Sequence, residues 1–235
     1  MQNAIYCIPR SRRGTIMPIP AKKEAEAPKT AKQRVFEGLR DWIIDGTLQP
    51  GERLIDTEIS EYFSVSRTPV REAIQMLADQ KLVEVFPGRE SRVSQIGSVD
   101  IPETYRMIAE LHALSVEFAF DKITDADIDA LRDANNALVR AYNSHDLKGC
   151  RMFDKSFHDI FLKLADNDFL SAFCLTLNGH VSRVENIYFS KISGMDELIK
   201  EHIEIISALE ARDLDKAMEY MRANWLHTPE VLAGK

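Results

Sequence analysis

From Val99 to the end of the chain, apolar residues recur every three to four positions, and nowhere does that spacing give way to the alternation of a strand. A stretch of this length with a single period can bury its apolar face only by packing helix on helix. The pattern breaks near Thr124, His145, Asp166, Ser193 and Asp213. These breaks divide it into about six helices of ordinary length. Stripes such as Ile160 with Leu164, and Ile203 with Ile206, supply the inner faces of an antiparallel bundle. No repeat at a fixed period is present.

Ahead of Gly97 the texture is different. Val35, Phe36, Leu39, Trp42 and Ile43 mark a helix from about Thr30 to Asp45, stopped by Gly46. "LQPGERL" reads as a Pro-Gly turn. Asp56 or Thr57 is placed to cap a second helix with Ile59, Tyr62 and Phe63 inward. After a tight turn at Ser64-Val65, a third helix runs from Ser66 to about Gln80, with Pro69 in its first turn, where the missing N–H is harmless. "LVEVF" and "SRVSQI", joined by "PGRE", read as a hairpin. Helix, helix, turn, helix, hairpin is a winged helix-turn-helix. The fold class expected is therefore mainly α: residues 30–97 a winged helix-turn-helix, residues 98–230 an all-helical domain.

The opening "MQNAIYCIPRSRRGTIMPIPAKKEAEAPKTAKQ" is basic and proline-bearing, without the apolar stretch of a secretory signal. It reads as a disordered basic arm over residues 1–29, with Met17 as an alternative start; such an arm either touches DNA or has no function of its own. The formal net charge of -7 argues against a chain that coats nucleic acid, although a DNA-docking protein needs only one basic face. Three cysteines, Cys7, Cys150 and Cys174, form no CxxC pair, as expected in a reducing cytoplasm. No apolar run approaches the roughly 20 residues that span a bilayer, so no membrane partner is expected.

"SVSRTPVREAI" carries the first chemistry. Arg67 and Arg71 lie four apart on one face of the third helix, near its N-terminus, where the backbone already favours anions. The second helix of a helix-turn-helix enters the major groove, and arginine can bond O6 and N7 of guanine together. Ser66 and Thr68 can bond phosphate and fix register. Gly88 and Arg89, at the hairpin tip, can reach the minor groove or the backbone. The competing reading pairs the arginines with Glu58, Glu61 or Glu72 on a solvated surface.

The run "DWIIDGTLQPGERLIDTEISEYFSVSRTPVREAIQMLADQKLVEVFPGRESRVSQI" resembles the DNA-binding domain of the GntR superfamily. The resemblance implies that Arg67, Thr68, Arg71 and Gly88 contact operator DNA. Four positions depart from the pattern. Ser64 stands where the turn usually has glycine, Lys81 replaces another glycine before the wing, and Glu90-Ser91 replaces a glycine and a small residue.

The second constellation is in "RMFDKSFHDIFLKLADN". Asp154 and His158 are one turn apart, so a carboxylate and an imidazole share a face and can clamp one divalent cation. Phe153, Phe157, Phe161 and Leu164 would pack the bundle around them, and polar groups kept beside such a core need partners. His202, beside Glu201, sits on a later helix. From about Ile101 to Leu226 the chain resembles the FCD ligand-sensing domain of the FadR-type branch. That domain's pattern is Asp-x-x-x-His, then Glu-His, then a histidine in the last helix.

The resemblance places Asp154, His158 and His202 in a metal site, with Asn224 at the fourth position, where an amide oxygen replaces an imidazole. Zinc or nickel is the first expectation, with manganese or magnesium as alternatives. Open positions on the ion would take the carboxylate of a small organic acid. His180 and Arg183 are further candidates for the effector pocket, Arg183 through a bidentate grip on a carboxylate or, alternatively, in a surface salt bridge. His112 stands where the family often has glutamate and Ile108 where it often has arginine, so His112 is either a pocket residue or a buried structural one.

The expectation is a ligand-responsive transcriptional regulator, a repressor, binding pseudo-palindromic operator DNA as a homodimer. One alternative is an architectural DNA-binding protein with no effector. Another is a metal-dependent hydrolase, for which no HExxH, phosphate loop or nucleophile elbow is present. An enzyme is not expected.

Overall fold

The computed structural model describes residues 29–86, 90–96, 100–188 and 195–232. Contacts divide the chain into two compact units, one ending at Ser94 and the other running on from Gln95. The arm expected over residues 1–29 and the wing tip with Gly88 and Arg89 lie outside the described residues, apart from Lys29 at the arm's end.

The first unit holds α1 (Ala31–Ile44), β1 (Arg53–Leu54), α2 (Asp56–Phe63), α3 (Arg67–Asp79), β2 (Val83–Phe86) and β3 (Glu90–Val93). The five apolar residues that predicted α1 are the five it buries. They join Ile59, Val70, Ile74, Leu77 and the strand residues Val83 and Val93 in one core. Trp42, Tyr62 and Phe63 form a ring cluster with centroids 4.9–5.5 Å apart, which locks α1 onto α2. Gly38 makes that approach feasible, since a Cβ there would fall 2.5 Å from the Phe63 ring.

Two expectations change. The residue before α2 is Ile55, with no side-chain cap, because Asp56 turns its carboxylate to Arg71 instead. And the hairpin is a three-stranded sheet of order β1-β3-β2, in which Arg53 pairs with Arg92 and Leu54 with Ser91.

The regular elements among the second unit's described residues are all helices: α4 (Asp100–Phe120), α5 (Asp125–Asn143), α6 (Leu147–Ala165), α7 (Asp168–Tyr188), α8 (Met195–Glu210) and α9 (Leu214–Leu232). The fold class is thus mainly α, with a winged helix-turn-helix and a six-helix domain. Thr124 opens α5 with a capping box closed by Asp127, and Asp146 caps α6 by accepting from the Gly149 N–H at 2.9 Å.

Four of the five expected breaks fall between described helices; the one near Ser193 lies outside the described residues. The core combines Ile108, Val116, Leu131, Phe157, Phe161, Ile205, Leu209 and Met221. Ile203, expected inward, is 52% exposed. On α8 the buried face runs through His202, Ile205, Ile206 and Leu209, and Ile203 lies one position off it.

Helices in both units end alike. The five non-glycine residues with positive φ among the described ones are Ser64, Lys81, His145, Asp166 and Arg212, and each follows a helix. At Ser64, for example, the next N–H, of Val65, returns to the Ser60 carbonyl at 3.0 Å. That is a Schellman closure made without glycine.

Candidate metal centre and nucleic-acid interface

In the first unit, Val70, Ala73, Ile74 and Leu77 turn α3 inward, and Ser66, Arg67, Thr68, Arg71, Glu72 and Gln75 are left on its exposed face. Both arginines therefore point to solvent at the start of the helix. Arg71 Nε donates to Asp56 Oδ2 at 2.9 Å, so its ion-pair partner is none of the three glutamates weighed from sequence. Even with Nε occupied, the Arg71 side chain stays 70% exposed. The wing behind α3 is braced by Glu90, which lies 3.4 Å from Arg53 and 2.5 Å from Arg92.

In the second unit, three side chains converge. Asp154 Oδ1 lies 3.8 Å from His158 Nε2, one turn further along α6, and 3.5 Å from His202 Nε2 on α8. One ligand atom from each lies within 4.8 Å of the others. Asp154 Oδ1, His158 Nδ1 and His202 Nε2 are buried without a hydrogen-bond partner. Unpartnered buried polar atoms carry a desolvation cost of about 1–3 kcal/mol each. A divalent cation between Asp154 Oδ1 and His202 Nε2 would remove that cost at those two atoms, with His158 Nε2 beside them, and one carboxylate with two imidazoles is a donor set such ions accept.

The ring of His202 is held from behind. Asn135, on α5, donates from Nδ2 to the Ile199 carbonyl at 3.3 Å, which fixes its amide oxygen toward His202 Nδ1, 3.1 Å away. That nitrogen carries the proton and Nε2 is left bare toward Asp154. Phe157 stacks on the same ring at 3.8 Å. Sequence reasoning missed Asn135; its signal was an asparagine on the inward stripe of α5, where it is 5% exposed.

Asn224 is buried near the trio but already engaged. Its Nδ2 donates to Glu201 Oε2 at 3.0 Å, and its carboxamide also bonds the His158 side chain.

Burial sets the protonation states. It raises the Asp154 carboxyl to about 8, with the nearby Glu185 carboxylate adding to the rise. Glu185 itself is raised by burial to about 7, against a hydrogen bond from Tyr105 Oη at 3.2 Å. Burial lowers His158 to about 3 and holds His112 and His202 well below the ordinary imidazole value. All three rings are thus neutral near pH 7, with lone pairs free for a metal.

Of the other expected pocket residues, His112 is fully buried and its ring lies 5.0 Å from that of His158. Arg183 is 2% exposed, which removes the surface salt-bridge reading, and burial lowers it to about 10. His180 is half-buried on α7 and is not part of the close trio.

A winged helix-turn-helix with an exposed arginine face, followed by an all-helical domain, defines a class of DNA-binding regulators. Residues 31–93 match the bacterial regulatory proteins of the gntR family and residues 103–226 match the FCD domain. The HTH-type transcriptional repressor RspR of Escherichia coli (strain K12) is 29% identical over 199 residues, which cover 85% of this chain and 86% of that protein. The gluconate operon transcriptional repressor of Bacillus subtilis (strain 168) is 30% identical over 144 residues, 58% of this chain and 56% of that protein.

The solved structure of E. coli McbR/YncC superposes with a TM-score of 0.75 at 22% identity, over 88% of this chain and 99% of that one, a likeness of fold. The chain belongs to the GntR family of bacterial transcriptional regulators and carries the FCD domain of its FadR-type branch. It is a DNA-binding transcriptional regulator. No helix among the described residues is long and apolar enough to cross a membrane.

Proposed function

We propose that the protein is a repressor whose hold on a pseudo-palindromic operator is set by a small organic acid bound at a divalent ion in the helical unit. The observation that carries this reading is the convergence of Asp154, His158 and His202, with their unpartnered atoms, in a chain whose other unit exposes two arginines on a reading helix. Asp154, His158 and His202 ligate the ion, with Asn224 held beside them by Glu201. Zinc or nickel suits two imidazoles best; manganese and magnesium, which prefer oxygen donors, fit this set less well. Open positions on the ion take the acid's carboxylate, in a pocket that His112, Arg183 and His180 help to line.

In the first unit Arg67 and Arg71 read base edges, Ser66 and Thr68 hold phosphate, and the wing-tip residues Gly88 and Arg89 reach the flanking groove. Asp56 occupies only Nε of Arg71, which leaves the Nη groups for a guanine edge. The repressor output rests on the names of the two curated relatives, and the acid on the gluconate operon in one of them. Homodimerisation is supported by Met107 and Phe118 on α4 and Phe169, Phe173 and Leu175 on α7, large apolar side chains left 39–79% exposed.

Operator binding by wild type, Arg71→Ala and His158→Ala, each with and without bound metal and with a panel of small organic acids, tests this. Arg71→Ala should weaken and broaden sequence preference. His158→Ala should bind DNA as wild type does but lose the response to acid, which in a coupled system amounts to about 5–150-fold in affinity. Unchanged DNA affinity for Arg71→Ala, or a full acid response with metal absent, would overturn the reading.

A further inference from the structure

We propose that His112 is a fourth protein ligand of the ion, supplied by α4. This rests on the metal reading of Asp154, His158 and His202 and extends it to a helix that carries none of those three.

His112 is 0% exposed, and neither Nδ1 nor Nε2 has a hydrogen-bond partner. A neutral imidazole carries one donor and one acceptor, so both of its polar functions are stranded in the core. A ring needed only for packing would be better served by phenylalanine. The imidazole is held in place by stacking on Trp225, at 4.6 Å and an interplanar angle of 25°. Trp225 in turn lies 4.9 Å from the His158 ring.

The His112 ring centre is 5.0 Å from that of His158, with the planes at 70°. Two imidazoles on neighbouring positions of one five- or six-coordinate ion, with nitrogens about 2.1 Å from it, hold their centres about 4.5–5 Å apart, and such an ion keeps a position open for the acid. The separation between the His158 and His202 rings is similar, 5.5 Å. His112 is not in the trio whose ligand atoms already lie within 4.8 Å of one another; it meets His158 from the α4 side.

Asn224 gives its Nδ2 to Glu201, and its carboxamide also bonds the His158 side chain, so it is already engaged on both sides. One carboxylate and three imidazoles make a site for a nitrogen-preferring ion such as zinc, nickel or cobalt, and select against magnesium.

The test uses the full chain, stripped of metal with a chelator and titrated with cobalt(II), whose visible spectrum reports ligand number and type. Wild type, His112→Phe and His158→Ala are compared. His112→Phe keeps a ring to stack on Trp225 and removes both nitrogens. It should retain helical content and DNA binding, bind cobalt at least about tenfold more weakly, and show a shifted d–d band. If His112→Phe matches wild type in affinity and spectrum while His158→Ala loses the ion, the inference falls and the trio stands. If wild type takes up no cobalt, the trio falls and the inference with it. If His112→Phe does not fold, X-ray absorption on the metal-loaded wild type decides: three imidazoles support the assignment and two overturn it.

Discussion

Ser64 and Lys81 carry backbone conformations that their side chains oppose. Their φ angles are 55° and 61°, in the left-handed region, where an L-residue other than glycine is disfavoured by about 1–2 kcal/mol. Both stand where the sequence departs from the glycines of the GntR pattern, and the structure supplies the reason for those glycines: Ser64 closes α2 ahead of the reading helix, and Lys81 follows the end of the reading helix itself. Ser64→Gly and Lys81→Gly should each stabilise the chain by about 0.5–1 kcal/mol, less than the full strain because glycine also loosens the unfolded state. Urea unfolding monitored by circular dichroism reads the change directly.

At this scale much of the site was legible. Spacing put Asp154 and His158 on one face, and the two arginines of α3 emerged exposed. The partners were not legible, because Asp56 lies fifteen positions from Arg71 and Asn135 sixty-seven from His202. No local period encodes such pairs.

Elements were read well where a long period existed and poorly where it did not. The five buried residues of α1 and the six helices of the second unit follow from helical spacing. β1 is two residues long and borrows its regularity from β3, so the sequence held nothing periodic to find. Ile203 was misplaced by one position, an error of about 100° around a helix. On α4 and α7, exposed apolar side chains recur at helical spacing: Met107 and Phe118 on one, Phe169 and Phe173 on the other. If these faces form the proposed homodimer, Phe173→Asp, at 61% exposure, should leave the fold intact and shift the protein from dimer to monomer. Light scattering checks the mass. Because half-sites are bound together by a dimer, operator affinity should fall with it.

For the molecule as a whole, the proposed ion site sets a conflict between stability and function. Asp154 ionises near 8 in the folded, metal-free chain and near 4 when unfolded. A raised carboxyl pKa means that its contribution to stability is intact below about 4 and is lost as pH climbs through 8. His158, lowered to about 3, works the other way: its contribution is present above about 6.5 and is lost as pH falls through 3. Metal-free Asp154→Asn should therefore melt above wild type at pH 8.5, with the gap narrowing toward pH 4. Saturating the wild type with metal should reverse the order. Differential scanning calorimetry at the two pH values provides the check.

The brace behind His202 bears on how long an ion stays. To swing its imidazole away, the chain must break the Asn135 contact, and Asn135 is itself tied to the Ile199 carbonyl one turn earlier on α8. Departure of the metal thus requires backbone-anchored groups on two helices to let go together, whereas a carboxylic acid at an open coordination position needs only to diffuse out. On the proposed reading the cation is a resident fixture and the acid a visitor, so that signalling would cycle many times on one loaded ion. Asn135→Ala would merge those two timescales, visible as faster zinc loss to a competing chelator.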